Sequence, residues 1–261
     1  MEITQLSLNE EIQFVQQKIR KEPSNPKWRM GLFQRYCQMG KWQKALEQLQ
    51  VFAQLDADAN GFAHAYRIAL QAELVREQVF AGQLSPQFPA ETSNWMDMLL
   101  QALREKSDGN DEAAGELRVD ALDLAPTASG SLDGTSFEWL ADADTRLGPV
   151  CELVLDGVYC WVPYSSFSTI RIAAPENLSD LVWLPAHVQI RGREMCPALI
   201  PARYPGVTES TSDEHLRGRL TSWSEEVDGS WIGCGVKVLA TGTEEKSLLD
   251  IRRIDFDHVV T

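Results

Sequence analysis

The sequence predicts an α+β protein, in which an all-α N-terminal domain over residues 1–126 precedes a mainly antiparallel β domain over residues 127–261. Up to about residue 126, apolar residues recur at the three- and four-residue spacings of helices. Beyond that point, short apolar runs alternate with glycine, proline and turn residues, as in antiparallel sheets. The segment PTASGSLDGT, at 126–135, separates the two patterns and is predicted to be a polar linker.

The N-terminal half predicts six helices stacked in pairs. The run SLNE from Ser7 to Glu10 is a capping box, because the serine hydroxyl can accept from the Glu10 amide while the Glu10 carboxylate reaches back. Asn25 and Pro26 supply an N-cap and a first-turn proline for the next helix. A long helix is expected over roughly residues 62–80.

The segment from Trp28 to Leu55 resembles a tetratricopeptide-type helical hairpin. Leu32, Tyr36 and Ala45 match the apolar, aromatic and close-approach positions of that repeat, and a glycine stands in the turn. A weaker copy of the same offsets runs over residues 95–126. The match is partial, because Phe33 stands where the repeat usually has a small residue and Ala57 stands where it has proline.

The first β-hairpin is predicted around Asp156-Gly157, which separates the runs VCELVL and VYCWVPY. Aspartate and glycine both tolerate the positive φ that a two-residue type I′ turn requires. Further strands are expected near residues 169–173, 182–191, 219–223, 231–240 and 248–256.

Charge and composition limit the classes of partner. A formal net charge of −14 argues against nucleic acid and anionic membranes, which both require a basic surface. No apolar run approaches the roughly 20 residues of a membrane helix, and the first residues do not resemble a secretory signal. A cytoplasmic location is therefore expected. The five cysteines contain no C-x-x-C pair and are expected to be reduced and mostly buried.

One stretch, SFEWLADADTRLGP, resembles a phosphatase site because Asp142 and Asp144 follow an apolar run. Phosphatases of the haloacid-dehalogenase type carry D-x-D-x-T or D-x-D-x-V, whereas Thr145 directly follows Asp144 here. The favoured interpretation is a structural turn, in which the aspartates pair with Arg146 or accept backbone amides before Gly148-Pro149. A binding role for an exposed part of the motif stays open.

No catalytic, metal or cofactor site is predicted elsewhere. The four histidines lie far apart, no G-x-S-x-G elbow occurs, and GSWIGCG lacks the Lys-Ser/Thr ending of a phosphate loop. The closely spaced glycines of that run favour bulges or close packing. The five tryptophans of the second half favour a core over a ligand platform: Trp139, Trp161, Trp183, Trp223 and Trp231.

The second half resembles the ImpE family, also called TagJ or SciE, of accessory proteins in bacterial type VI secretion. The resemblance lies in a series of segments in order from about residue 137 to 256: FEWLADADTRLGPVCEL, GVYCWVPYSSFSTI, LSDLVWLPAHVQI, LIPARYPG, LRGRLTSW and LLDIRRIDF. It implies a non-enzymatic adaptor without cofactors, which binds the N-terminal helix of the small contractile-sheath subunit. It also implies a link to the AAA+ ATPase that recycles contracted sheath.

Two other functions stay open at this point. One is a divergent metal-dependent phosphohydrolase that uses Asp142 and Asp144. The other is a tetratricopeptide-like chaperone for a different client. In the ImpE interpretation the D-A-D-T-R run is instead a structural motif of the family.

The candidate docking residues for a partner helix are Trp28, Leu32 and Tyr36, which share one helical face. Packing within the helical pair is the favoured interpretation for Leu32 and Tyr36, whereas Trp28 lies near a helix start, where a ring can stay exposed. The junction of the two domains around Trp139 is the alternative location.

Overall fold

The computed structural model describes residues 6–90, 93–208 and 210–257. Within these ranges, helices form the first half and strands dominate the second, so the predicted α+β class is confirmed. The helices are α1 (Leu8–Lys21), α2 (Pro26–Gln38), α3 (Trp42–Leu55), α4 (Asn60–Phe80), α5 (Asn94–Ser107), α6 (Asp111–Leu124) and the short α7 (Asp213–Leu216). No helix in the described ranges is both long enough and apolar enough to cross a membrane.

The strands of the described ranges form three sheets, and every pairing between strands is antiparallel. They are β1 (Gly130–Leu132), β2 (Thr135–Phe137), β3 (Leu140–Asp142), β4 (Val150–Leu155), β5 (Val158–Pro163), β6 (Phe167–Ile172), β7 (Trp183–Ile190), β8 (Cys196–Pro201), β9 (Thr221–Glu225), β10 (Trp231–Gly235), β11 (Val238–Thr241), β12 (Glu245–Ser247) and β13 (Arg253–Phe256). The largest sheet has eight strands in the order β2-β1-β13-β6-β7-β8-β4-β5. Strands β12-β11-β3 and β10-β9 form the smaller sheets.

The predicted helix starts and hairpins are present. Ser7 and Glu10 form the reciprocal capping box of α1, and the Asn25 side chain caps α2 ahead of Pro26. Helices α2 and α3 pack side by side, as do α5 and α6. Gly40 and Gly109 end the first helix of each pair in the left-handed conformation, with φ of 64° and 83°.

The hydrophobic cores cross the boundary between helices and strands. Trp183 of β7 packs against the rings of Trp42 and Tyr66, at centroid distances of 5.7 and 5.9 Å. Trp161 of β5 packs against Phe80 of α4, at 6.0 Å. A further cluster lies on the opposite face of the large sheet, away from the helices. The chain changes from helix to strand near residue 126, but the two halves bury part of their apolar surface against each other.

The predicted linker at 126–135 is wrong for its second part. Gly130–Leu132 and Thr135–Phe137 pair as β1 and β2 across Asp133-Gly134, and β1 also pairs with β13. Asp133 holds φ of 49° and accepts from the backbone N–H groups of Arg252 and Arg253 at 3.0 and 2.7 Å. The segment resembles a linker because its two strands are only three residues long, and β13, the other partner of β1, lies more than 110 residues away.

Several strand boundaries also differ from the prediction. The run at 231–240 is two strands in different sheets, because the chain turns at Gly235, where φ is 100°. Residues Leu248–Asp250 form a short 3₁₀ turn before β13. The short strands β3 and β12 were not predicted, since neither contains an apolar run between turn residues. Strand β8 was not predicted either, because prolines at both ends of its Ala-Leu-Ile run argue against a strand.

The hairpin at Asp156-Gly157 is confirmed. Strands β4 and β5 pair from Val150 with Pro163 to Leu155 with Val158, and Asp156 and Gly157 hold φ of 50° and 87°. These are the positive angles of a type I′ turn.

We expect Asp156→Pro to lower the free energy of unfolding by about 2 kcal/mol or more, because proline cannot reach a φ of 50°. Asp156→Gly is the matched control, since glycine adopts this angle without strain. Urea denaturation of both variants measures the effect. Equal midpoints for the two variants would contradict this account of the turn.

Candidate functional site

The carboxylate of Asp142 is buried at the end of β3 and is fully engaged. Its Oδ1 accepts from the Asp144 N–H at 3.0 Å and from the Tyr204 hydroxyl at 2.8 Å. Its Oδ2 accepts from Lys237 Nζ at 3.0 Å. The side chain therefore links β3 to the chain segments that follow β8 and β10.

The carboxylate of Asp144 is also buried and closes the turn that follows. Its Oδ1 accepts from the backbone N–H and Nε of Arg146 at 3.0 and 2.9 Å, and its Oδ2 accepts from Arg146 Nη2 at 2.6 Å. Gly233 N–H of β10 donates to the same Oδ2 at 2.9 Å. Gly148, at φ of 51°, ends the turn, and Pro149 leads into β4. Both the Arg146 pair and the backbone amides expected for this motif are present.

This geometry does not suit a phosphatase. A nucleophilic carboxylate must present a free oxygen to a substrate, and a metal-binding pair must present several. Every carboxylate oxygen of Asp142 and Asp144 already accepts hydrogen bonds from the protein. Asp142 and Asp144 are also only 3% and 0% exposed to solvent. No group of three metal-ligating side chains is found among the described residues. The D-A-D-T-R run forms a turn that its own buried hydrogen bonds close.

The centre of the buried charges is Glu152 in β4, a residue that the sequence reasoning did not single out. Arg76 of α4 binds it in bidentate fashion, with Nε donating to Oε1 at 2.7 Å and Nη2 to Oε2 at 3.0 Å. The Tyr159 hydroxyl donates to Oε1, and Lys237 Nζ pairs with Oε2. Lys237 thus bridges Glu152 to Asp142.

The cluster extends into the helical half through Glu73. This residue lies one turn before Arg76 on α4 and pairs with Arg76 Nη1 at 3.3 Å. Its other oxygen accepts from Trp183 Nε1 of β7 at 2.9 Å. Trp161 Nε1 donates to the Tyr159 hydroxyl at 2.7 Å, so two core tryptophans have their polar atoms satisfied by this network.

Burial and neighbouring charges shift the pKa values of the cluster. Burial opposes the ionised form of Glu152, but the charges of Arg76 and Lys237 outweigh it and hold the pKa of this carboxyl well below its usual range. Burial likewise opposes ionised Lys237, and the carboxylates of Asp142 and Glu152 raise its pKa nonetheless. Burial raises the pKa of Asp142, even though Lys237 acts in the opposite direction. Burial and the Glu152 charge raise the pKa of Tyr159 well above its usual value.

Arg203 makes a second connection between the two halves. It follows β8, and its Nη1 donates to the carbonyls of Gln38 and Leu216 at 2.6 and 3.0 Å, while Nη2 donates to the Cys37 carbonyl at 3.1 Å. It therefore caps the C-terminus of α2 with a positive charge, which the helix dipole favours. Burial lowers the pKa of Arg203 to about 10.

The candidate docking face on α2 is only partly accessible. Leu32 and Tyr36 are 3% and 8% exposed and belong to the helical core, so neither side chain is available to a partner in this conformation. The Tyr36 hydroxyl accepts from Gln16 of α1 at 3.0 Å, because α1 lies over this face. Trp28 is half-buried, and its Nε1 donates to Glu22 Oε2 at 2.9 Å.

The other docking candidate, Trp139, is 39% exposed and lines a groove of about 360 Å³ between the end of α6 and the β3–β11 sheet. We call this the junction groove. Its apolar wall is formed mainly by Leu122, Ala125, Pro126, Trp139, Pro149 and Ala240. Of the other second-half tryptophans, Trp161 and Trp183 are fully buried, and Trp231 is 46% exposed at the start of β10.

The sequence does contain a signal for Glu152, the centre of the buried charges. Glu152 interrupts the apolar run VCELVL, and all six residues of that strand are buried. A charged residue in a strand buried on both faces requires a partner of opposite charge. The partners Arg76 and Lys237 lie 76 and 85 positions away and carry no local pattern that would identify them.

Comparisons with known proteins agree with the fold and indicate a family. Residues 134–255 match the family described as ImpE protein. The chain is 39% identical to the type VI secretion system accessory component TagJ of Pseudomonas aeruginosa, over 96% of this chain and 88% of the relative. A crystal structure of a Vibrio parahaemolyticus protein superposes with a TM-score of 0.88 at 24% identity, covering 97% of this chain and 95% of that one. That last likeness concerns the fold.

We expect Lys237→Met to lower the free energy of unfolding by about 3–5 kcal/mol. Among the described residues, Glu152 would lose one of two cationic partners and Asp142 would lose its single one. Lys246→Met is the matched control, since Lys246 pairs with Asp133 near the surface and should cost at most about 1 kcal/mol. Urea denaturation gives both values. Similar midpoint shifts would show that the buried pair does not stabilise the fold.

The depressed pKa of Glu152 predicts a stability difference that depends on pH. A carboxyl whose pKa is lower in the folded state contributes stability above its unfolded pKa of about 4.3, and this contribution disappears as pH falls toward the folded pKa. The free-energy gap between wild type and Glu152→Gln should therefore be constant from pH 8 to about 5.5 and shrink below about pH 4.3. A gap that stays constant down to pH 3 would contradict the shift.

Proposed function

The chain belongs to the ImpE family, and from this membership we infer that it is an accessory protein of a bacterial type VI secretion system. We propose that it acts in the cytoplasm as a non-enzymatic adaptor. It binds the N-terminal helix of the small sheath subunit and modulates how the AAA+ recycling ATPase handles contracted sheath.

The observation that carries the proposal is the 39% identity to an accessory component of type VI secretion, which extends over 96% of this chain. Identity of this extent includes the helical half as well as the residues that match the family description. The accessory role therefore concerns the whole chain rather than one grafted segment.

The chemistry of the buried charges supports a role without catalysis. Catalytic carboxylates and lysines act on a substrate that can reach them. The side chains of Glu152, Asp142 and Lys237 are at most 3% exposed and are saturated by one another, by Arg76 and by Tyr204. Their arrangement fits a structural lock between the two halves.

The architecture supports helix binding. Helical hairpins and the grooves beside them commonly accept an amphipathic helix through apolar anchors. Because the cores cross the division at residue 126, we propose that residues 1–126 and 127–261 form one binding body. A groove lined by both halves, such as the junction groove, would keep its shape in that body.

Affinity purification of the tagged chain from its own bacterium, followed by mass spectrometry, tests the function. We expect the small sheath subunit as the main partner, and we expect it to be lost when its N-terminal helix is deleted. The same purification from cells that lack the sheath subunit tests the ATPase. If the ATPase contacts the chain directly, it is still enriched; if the sheath subunit links the two, the enrichment is lost.

Two results would contradict the proposal. Recovery of a different client, with no sheath subunit, would favour the chaperone alternative. Hydrolysis of phosphate esters with magnesium or manganese, abolished by Asp142→Asn in a folded variant, would establish the phosphohydrolase instead. Asp144→Asn, assayed in parallel, would report whether both carboxylates take part.

A further inference from the structure

The junction groove carries apolar surface that the fold leaves uncovered. It lies between the C-terminal end of α6 and strands β3 and β11, with a volume of about 360 Å³. Trp139 is 39% exposed at this groove, and Leu124, the chain neighbour of the lining residue Ala125, is 61% exposed. Exposed rings next to apolar grooves are typical anchors of protein interfaces.

Two of the polar side chains that line the groove, Asp142 and Thr145, are already used. The Asp142 carboxylate is engaged by Lys237 and Tyr204, and Thr145 Oγ1 accepts from the Trp231 N–H at 3.0 Å. Small-molecule sites combine apolar walls with a few free polar groups that fix orientation. The junction groove therefore suits apolar side chains better than a polar metabolite.

The sheet edge beside the groove is unsuited to an added strand. Strand β3 is the edge of its sheet but has only three residues. The edge N–H of Asp142 already donates to the Gly148 carbonyl at 2.6 Å. Strand addition needs a continuous row of free backbone groups, so a helix that inserts side chains is the better occupant.

Charge around the groove specifies the helix further. Asp123, Glu138 and Glu244 are exposed and make no ion pair with any residue that the structure describes. Glu138 and Asp123 are chain neighbours of the lining residues Trp139 and Leu122. The turn that precedes Glu244 lies close to Trp139, since a Cβ on Gly242 would be 3.4 Å from Trp139 Nε1. An acidic rim attracts basic side chains.

We propose that the junction groove binds the apolar face of an amphipathic helix whose flanks carry lysine or arginine, with Trp139 as the anchor. The site rests on the proposed function in that the N-terminal helix of the small sheath subunit is its expected occupant. Trp139 packs on the apolar face, while Asp123, Glu138 and Glu244 pair with the flanking cations.

The first test measures binding of a fluorescent peptide that copies the sheath subunit's N-terminal helix. Trp139→Ala should weaken binding about tenfold or more, as loss of an aromatic anchor does. Trp231→Ala is the matched control, because Trp231 is 46% exposed in the same half but does not line the groove, and it should change binding less than twofold. Thermal melts verify that both variants are folded.

The rim is tested by charge reversal. Glu138→Lys with Glu244→Lys should weaken binding and flatten its dependence on salt. The control is Glu47→Lys with Glu112→Lys, which changes the net charge by the same amount at two exposed sites. Glu47 lies on α3, and Glu112 lies at the start of α6, about 15 Å along the helix from Leu122. Equal effects of the two double variants would overturn the acidic rim.

The outcomes separate the groove from the function. If wild type and Trp139→Ala bind the sheath peptide equally, the groove is wrong and the function stands. Loss of binding in Trp28→Ala alone would then place the site on α2. If wild type binds no form of the sheath subunit, the proposed function fails. The groove is then tested by itself with a designed amphipathic helix of leucine and lysine.

With that designed probe, the groove is supported if wild type binds the Leu/Lys helix, rejects a Leu/Glu helix of equal length, and loses binding in Trp139→Ala. Equal binding of the Leu/Lys helix by wild type and Trp139→Ala would overturn it, as would no binding at all.

Discussion

The bidentate ion pair between Glu152 of β4 and Arg76 of α4 is the contact on which the relative position of helices and sheet depends. Both side chains are buried, and Lys237 adds a second cation to the same carboxylate. Each charge alone would cost several kcal/mol to bury, so none can remain inside without its partners. Separation of the two halves would leave these ions unpaired or require their rehydration. The pairing therefore fixes one arrangement of α4 against β4 and β5.

The same arrangement explains why the groove beside Trp139 exists. Asp142 takes part in the Lys237 bridge, and the turn that begins at Asp144 brings Gly148 against Leu122 of α6, where an added Cβ would lie only 2.5 Å from Leu122 Cδ2. The D-A-D-T-R turn thus positions β3 against α6 by close packing and by buried hydrogen bonds. A surface formed in this way keeps its shape before a partner arrives, which lowers the entropic cost of binding.

What the sequence predicted well was local. Helix caps, hairpin glycines and the Asp156-Gly157 turn depend on residues a few positions apart, so their patterns are visible in one sequence. The buried cluster joins residues 76 and 85 positions apart, and only Glu152, as a charge in an apolar strand, indicates it. Leu32 and Tyr36 pack in the helical core, which was one of the two interpretations that the sequence left open, since helical spacing shows a stripe but not that α1 covers it.

The resemblance of Asp142 and Asp144 to a phosphatase pair shows how burial decides the chemistry of a carboxylate. A catalytic aspartate keeps at least one oxygen free for a metal ion, a proton or a phosphorus atom. Here the side chains of Tyr204, Lys237 and Arg146 and three backbone amides supply donors to all four oxygens. The hydrogen bonds that would have to break to free an oxygen also join β3 and the turn after it to Tyr204, Gly233 and Lys237. Catalysis at this position would therefore require the loss of the structure that presents it.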